Sequence, residues 1–159
     1  MNPPPAWLPA ILELSPWTLA RYDELYAIFE HDLKFGRPVY DGKEVWFFPE
    51  MDDGKETVFW HLTSREDHPT KERNFDFRRS ERLPWVRPML DHAAAPEILA
   101  WDYQEDDGSI RTYVWLRDWD FLVLMKKMRN GSRRLITSYW IDYPNKRTKL
   151  HKKYEARLI

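Results

Sequence analysis

Glu97-Ile98-Leu99-Ala100-Trp101-Asp102-Tyr103 and Arg111-Thr112-Tyr113-Val114-Trp115-Leu116 flank an acidic turn that ends in Asp107-Gly108. Runs of β-branched and aromatic residues joined through Asp-Gly signal a β-hairpin. Phe121 to Met125 and Leu135 to Ile141 read as two further strands, joined through Asn130-Gly131, a tight-turn dipeptide. The spacing predicts a four-stranded antiparallel meander over residues 97–141. Pro144 then opens a final helix, with Leu150, Tyr154 and Leu158 four residues apart.

Upstream, Ser15-Pro16 reads as an N-cap followed by Pro at the first helical position. Leu19, Tyr22, Tyr26 and Phe29 have helical spacing, which predicts an amphipathic helix over 16–33, ended by Gly36 and Pro38. Val45-Trp46-Phe47-Phe48 and Thr57-Val58-Phe59-Trp60-His61-Leu62 read as the two strands of a hairpin around Met51-Asp52-Asp53-Gly54. Residues 78–92 read as a helix interrupted by Pro84 and Pro88. The expected class is α+β: a four-stranded antiparallel meander packed with helices, preceded by a helix and a β-hairpin. One domain over 1–159 is expected, with a Pro-rich, loosely ordered segment over 1–14.

The chain has 25 Lys and Arg, 26 Asp and Glu, and a net charge of −1. That balance hides an asymmetry. Residues 126–159 hold 11 bases and only two acids, Asp142 and Glu155, for a net of +9; residues 1–125 hold 14 bases and 24 acids, for a net of −10. A basic tail of this kind points to a polyanion or to an acidic protein. No run is long and apolar enough to span a bilayer, so no membrane partner is expected. Met1-Asn2-Pro3-Pro4-Pro5 lacks the basic start and apolar core of a secretory signal, which leaves the cytoplasm as the expected location. With no cysteine, thiolate chemistry and Cys-ligated metal are excluded.

Four stretches, in order, resemble a known group: Phe59-Trp60-His61-Leu62; Arg79-Ser80-Glu81-Arg82-Leu83-Pro84-Trp85; the Trp-rich hairpin; and Leu135-Ile136-Thr137-Ser138-Tyr139 with its basic helix. Together they look like the phage- and mobile-element-associated ribonucleases of the barnase–EndoU–colicin–RelE-like superfamily, many of them toxins. The resemblance covers about residues 45–157. It implies a metal-independent ribonuclease with no cofactor, RNA as partner, and an acidic antitoxin or immunity protein as a second partner. Fold-level likeness does not fix activity.

The candidate residues have their own chemistry. RNA self-cleavage needs a group to take the 2′-hydroxyl proton and a group to protonate the leaving 5′-oxygen, and the imidazole of His61 suits either task near neutral pH. The alternative is a histidine satisfied at a strand end. Arg79 and Arg82, three apart on a helix, could grip a phosphate; the alternative is pairing with Glu81 or Asp76. Arg78 is expected to point elsewhere. Thr137 offers a hydroxyl in a half-buried strand, and the resemblance places a Thr at its position. Ser138 is a second candidate hydroxyl, for substrate binding; adjacent strand residues face opposite sides, so at most one of the two should face the chemistry.

Lys146, Lys149 and Lys153 lie along one stripe of the basic helix as phosphate contacts, or as a solvated face. Tyr139 and Tyr154 could stack on bases, or serve as core. The acidic stretches at 51–54 and 105–108 lack the spacing of a calcium loop and read as turns, so no metal site is expected. Two other readings stay open. One is a non-catalytic nucleic-acid-binding module. The other is a phage or mobile-element interaction protein whose acidic region meets a basic partner.

Overall fold

The computed structural model describes residues 3–159; Met1 and Asn2, the start of the Pro-rich stretch, lie outside the described residues. In chain order the elements are α1 (Ala20–Phe29, extended by a wider turn to Lys34), β1 (Val39–Tyr40), β2 (Lys43–Trp46), β3 (Met51–Asp52), β4 (Lys55–Glu56) and α2 (Thr57–Thr63). Then come β5 (Ser64–Glu66), β6 (Arg73–Phe75), α3 (Phe77–Glu81) and α4 (Val86–Asp91). Four long strands follow, β7 (Ile98–Gln104), β8 (Ile110–Leu116), β9 (Phe121–Lys127) and β10 (Arg133–Trp140), and then α5 (Pro144–Glu155).

Strands β7 to β10 pair antiparallel with their sequence neighbours. The expectation of a four-stranded antiparallel meander is nevertheless corrected, because the sheet does not stop at β10. It has six strands in the order β1-β2-β10-β9-β8-β7, and β2 runs parallel to β10. That pairing, Val45 with Arg133 and Trp46 with Arg134, joins residues far apart in sequence. No local turn signal encodes such a contact. The expected hairpin of 45–48 with 57–62 is corrected too. The partner of β2 on its other side is β1, across Asp41-Gly42.

Thr57–Thr63 is a helix, not a strand. Val58, Phe59, Leu62 and Thr63 are all buried, the i, i+1, i+4, i+5 pattern of one helical face. Strand-favouring residue types were overruled by that packing. The Asp53-Gly54 turn survives as the link between β3 and β4.

The sheet separates two cores. On one face Val114, Leu116, Phe121, Val123, Met125 and Leu135 meet Phe29, Phe59, Leu62, Trp85 and Met89 from the helices. On the other, Trp101, Tyr113, Trp115, Leu122 and Leu124 are covered by Leu150 and Tyr154 of α5. The first helix begins at Ala20, later than the sequence spacing predicts, and Trp17 instead stacks on Phe75 at 3.6 Å. The 78–92 region breaks into α3, a tight turn at Leu83–Trp85, and α4, with Pro84 in that turn. Residues before 15 pack on this region. Leu12 N–H donates to the Glu81 carbonyl (2.9 Å), Trp85 Nε1 donates to the Pro9 carbonyl (2.9 Å), and Leu14 is buried.

Between Leu135 and Thr137 the β9–β10 register shifts by one residue at Ile136. This bulge decides which way the rest of β10 faces. Ser138 is buried on the helical face, while Ile136 and Tyr139 pack with the α5 core.

Candidate nucleic-acid interface

Among the described residues, the outer edge of β10 beyond Arg134 has no strand partner, because β2 pairs only with Arg133 and Arg134. The C-terminal end of α2 lies there instead. Thr137 Oγ1 donates to the His61 carbonyl at 2.8 Å. Arg79, from α3, donates through Nη1 to the carbonyls of His61 (2.9 Å) and Ser64 (2.8 Å). The last carbonyls of a helix carry partial negative charge and no intrahelical partner, so a guanidinium and a hydroxyl suit them. Asp76 caps α3 by accepting from the Arg79 backbone N–H (3.1 Å), and its carboxylate lies 3.5 Å from Arg79 Nε.

Arg79 sits over the Tyr139 ring, 5.7 Å from its centroid. From that point a groove runs two ways. One arm, about 110 Å³, is lined by Arg65, Asp76, Arg78, Arg79, Tyr139, Trp140, Asp142 and Lys146. The other, about 380 Å³, lies between α5 and the sheet. Its walls are Arg111, Tyr113, Leu124, Leu150, Lys149 and Lys153, with Arg79, Tyr139 and Lys146 shared between the arms. The second arm thus has five cations and no carboxylate in its lining. Two larger cavities, of about 860 and 520 Å³, lie elsewhere. The deepest cation of the smaller one, Arg133, is already held by Thr112, Asp102 and the Gly131 carbonyl.

The same sheet face carries a second basic feature. Trp46 lies beside Arg134, Arg134 beside Lys126, Lys126 beside Arg111, and Arg111 beside Tyr103, in register across five strands. At about 4.8 Å per strand this row spans roughly 19 Å. All five residues are half-buried, and an aromatic ring closes each end.

The His61 side chain faces neither arm. It lines a separate cavity of about 120 Å³ with Phe48, Glu50, Thr57, Val58, Arg134, Leu135 and Ile136. Its ring nitrogens make no hydrogen bond among the described residues. Burial holds its pKa below the ordinary histidine value, and the nearby Arg73 and Arg79 charges push the same way, against Glu66.

The residues singled out from sequence therefore divide. His61, Arg79 and Thr137 meet at the end of α2, and Tyr139, Lys146, Lys149 and Lys153 line the groove beside them. Arg82 does not join them. It is buried, donates to Glu81 and the Arg78 carbonyl, and packs over Trp85. Ser138 is fully buried with its hydroxyl unbonded, and Tyr154 packs edge-on against Trp101 at 5.3 Å. His61 belongs to a helix end rather than a strand end.

Two of the groove lysines are ion-paired. Lys146 meets Asp142 at 2.7 Å, and Lys153 meets Glu105 at 3.1 Å while also donating to Tyr113 Oη. Arg65, Arg78, Arg111, Lys126 and Arg134 were not singled out from sequence. For Arg111 the signal was there: Arg111, Tyr113 and Trp115 alternate onto one face of their strand. Arg78 does not point elsewhere but lies over the Trp140 ring at 5.1 Å, inside the narrow arm.

Among the described residues no helix is long and apolar enough to cross a membrane. Compared with protein-family models, curated proteins and solved structures, the chain matches none.

Proposed function

We propose that this protein is a metal-independent endoribonuclease acting on single-stranded RNA. The observation that carries the reading is a carboxylate-poor cationic groove whose Arg79 also holds the main chain of His61, the imidazole of which lies, unbonded among the described residues, in a separate small cavity. Five cations without lining acids attract a phosphodiester backbone, and the adjoining rings of Tyr113 and Tyr139 offer stacking surface for a base. The groove arm of about 380 Å³ has the size of a site for one nucleotide.

In this reading the RNA 2′-oxygen bonds to phosphorus as the bond to the 5′-oxygen breaks. The 2′ proton passes to a base, the leaving oxygen takes up a proton, and a 2′,3′-cyclic phosphate remains. A histidine with a lowered pKa is mostly neutral at pH 7 and accepts the first proton. Arg79 holds the end of α2 and presents charge to the groove. An acidic inhibitor protein would compete for the same cations, and a cytoplasmic site of action belongs to this reading.

The second reading is a non-catalytic RNA-binding module. It is favoured by one observation: Arg79 Nη1 and Thr137 Oγ1 are committed to protein carbonyls. Incubation with single-stranded RNA in EDTA separates the two. Cleavage to 2′,3′-cyclic ends, lost with a 2′-deoxy substrate and reduced at least about a hundredfold by His61→Ala, supports the enzyme. Salt-sensitive binding without cleavage selects the module.

A further inference from the structure

The cavity that holds the His61 side chain also holds a guanidinium that no motif singles out. Arg134 and His61 line the same cavity of about 120 Å³. That volume equals about four waters, which suits a phosphate group and is too small for a nucleotide. Arg134 has no carboxylate partner among the described residues, and its buried Nε makes no hydrogen bond. Its guanidinium carbon lies over the Phe48 ring, 4.4 Å from the centroid. Arg79 and Arg82 are differently placed. The first caps α2, and the second is bonded to Glu81.

We infer that Arg134 is the guanidinium that binds the scissile phosphodiester beside His61, in the cavity between α2 and the unpaired edge of β10. The inference deepens the ribonuclease reading and rests on it for the kinetic part only. A planar fork matches two phosphate oxygens and keeps its charge as negative charge builds during attack. The row across the sheet gives the strand a route to that point. Lys126 and Arg111 follow Arg134 in register, and Arg111 also lines the larger groove arm. A strand could thus place one nucleotide in that arm and a neighbouring phosphate against Arg134. The one carboxylate lining the cavity is Glu50, whose main-chain carbonyl accepts from the Thr57 N–H and hydroxyl.

The test has two arms. The first follows the His61 ring by NMR across pH, with and without inorganic phosphate, in the wild type, Arg134→Gln and Arg134→Lys. Bound phosphate should raise the His61 pKa in the wild type, partly in Arg134→Lys, and not in Arg134→Gln. The other charges that bear on the ring (Glu50, Glu66, Arg73 and Arg79) are unchanged in all three. A wild-type pKa that ignores phosphate, or an equal rise in Arg134→Gln, overturns the anion site.

The second arm is cleavage of a fluorogenic single-stranded RNA. Arg134→Gln should lower kcat about a hundredfold with KM within about threefold, the usual cost of removing one preorganised donor. Arg134→Lys should recover part of kcat. An Arg134→Gln protein that cleaves at the wild-type rate overturns the catalytic role. Should the wild type cleave no RNA, the ribonuclease reading falls, while the phosphate response still decides the anion site.

Discussion

Thr137 and His61 meet through a side chain and a backbone: the threonine hydroxyl donates to the histidine carbonyl at 2.8 Å. A second donor, Arg79 Nη1, reaches the same carbonyl at 2.9 Å. The main chain of His61 is therefore fixed from the sheet and from α3 at once, while its ring makes no hydrogen bond among the described residues. A histidine held this way keeps its position through a proton transfer.

Replacing Thr137 by Val keeps the shape and removes the donor. The His61 carbonyl retains Arg79, so no buried acceptor is orphaned. The expected loss is about 1 kcal/mol of folding stability, read from the urea midpoint. Thr137→Ser should restore it. A Val variant as stable as the wild type would mean that the hydroxyl contributes nothing.

Ser138 offers the opposite case. Its side chain is fully buried on the helical face, with an unbonded hydroxyl. Removing an unsatisfied buried hydroxyl relieves a desolvation cost. Ser138→Ala should leave cleavage unchanged and raise stability by roughly 0.5–1 kcal/mol, seen as a higher Tm. Loss of RNA binding in this variant would contradict its burial.

The pH dependence follows from His61. Its folded pKa lies below the unfolded value of about 6.5, so the native state favours the neutral ring. The stability this gives is present above about pH 6.5 and is lost as pH falls through the folded pKa. Cleavage should lose its acid limb in the same window, because a base must be unprotonated. Arg73→Gln removes a positive neighbour and should move the midpoint of kcat/KM upward, toward the ordinary histidine value. A downward shift, or none, would separate Arg73 from the ring.

Salt sensitivity should distinguish the groove lysines. Lys149 has no acid partner among the described residues, whereas Lys153 is bonded to Glu105 and Tyr113. Lys149→Gln should reduce the slope of log K against log salt by about 0.7 for single-stranded RNA. Lys153→Gln should cost thermal stability and change the slope less. Equal slopes in all three proteins would place the phosphates elsewhere.

Local chemistry made much of this fold readable. Asp107-Gly108 and Asn130-Gly131 turn where their residue types demand, and β7 to β10 follow. The readable part ends where contacts become non-local. The seven residues of α2 are strand-like in type, and only the core they pack against makes them helical. Nothing near Val45 announces Arg133. The bulge at Ile136 also breaks the alternation that would otherwise put Thr137 and Ser138 in the wrong frame.

The charge asymmetry was visible but overestimated the free tail. Lys127, Arg133, Lys146, Arg147 and Lys153 are matched by Asp102, Asp142, Asp120 and Glu105. Arg79 was found through its neighbours in sequence. Arg134 could not be, because only the helix brings His61 to the cavity that Arg134 lines.

The parallel seam between β2 and β10 has a consequence for how the molecule is made. Val45 pairs with Arg133, and the His61 carbonyl waits for a hydroxyl 76 residues further on. Closing a loop of that length costs about 4 kcal/mol beyond a constant, so the contact forms after the local hairpins that β10 brings with it. At cellular rates of synthesis, on the order of ten seconds separate the two sides of the seam. Throughout that interval the nascent chain has a histidine but no cavity around it. The finished site exists only once Thr137 has left the ribosome, so whatever chemistry His61 performs waits on residues made 76 positions later.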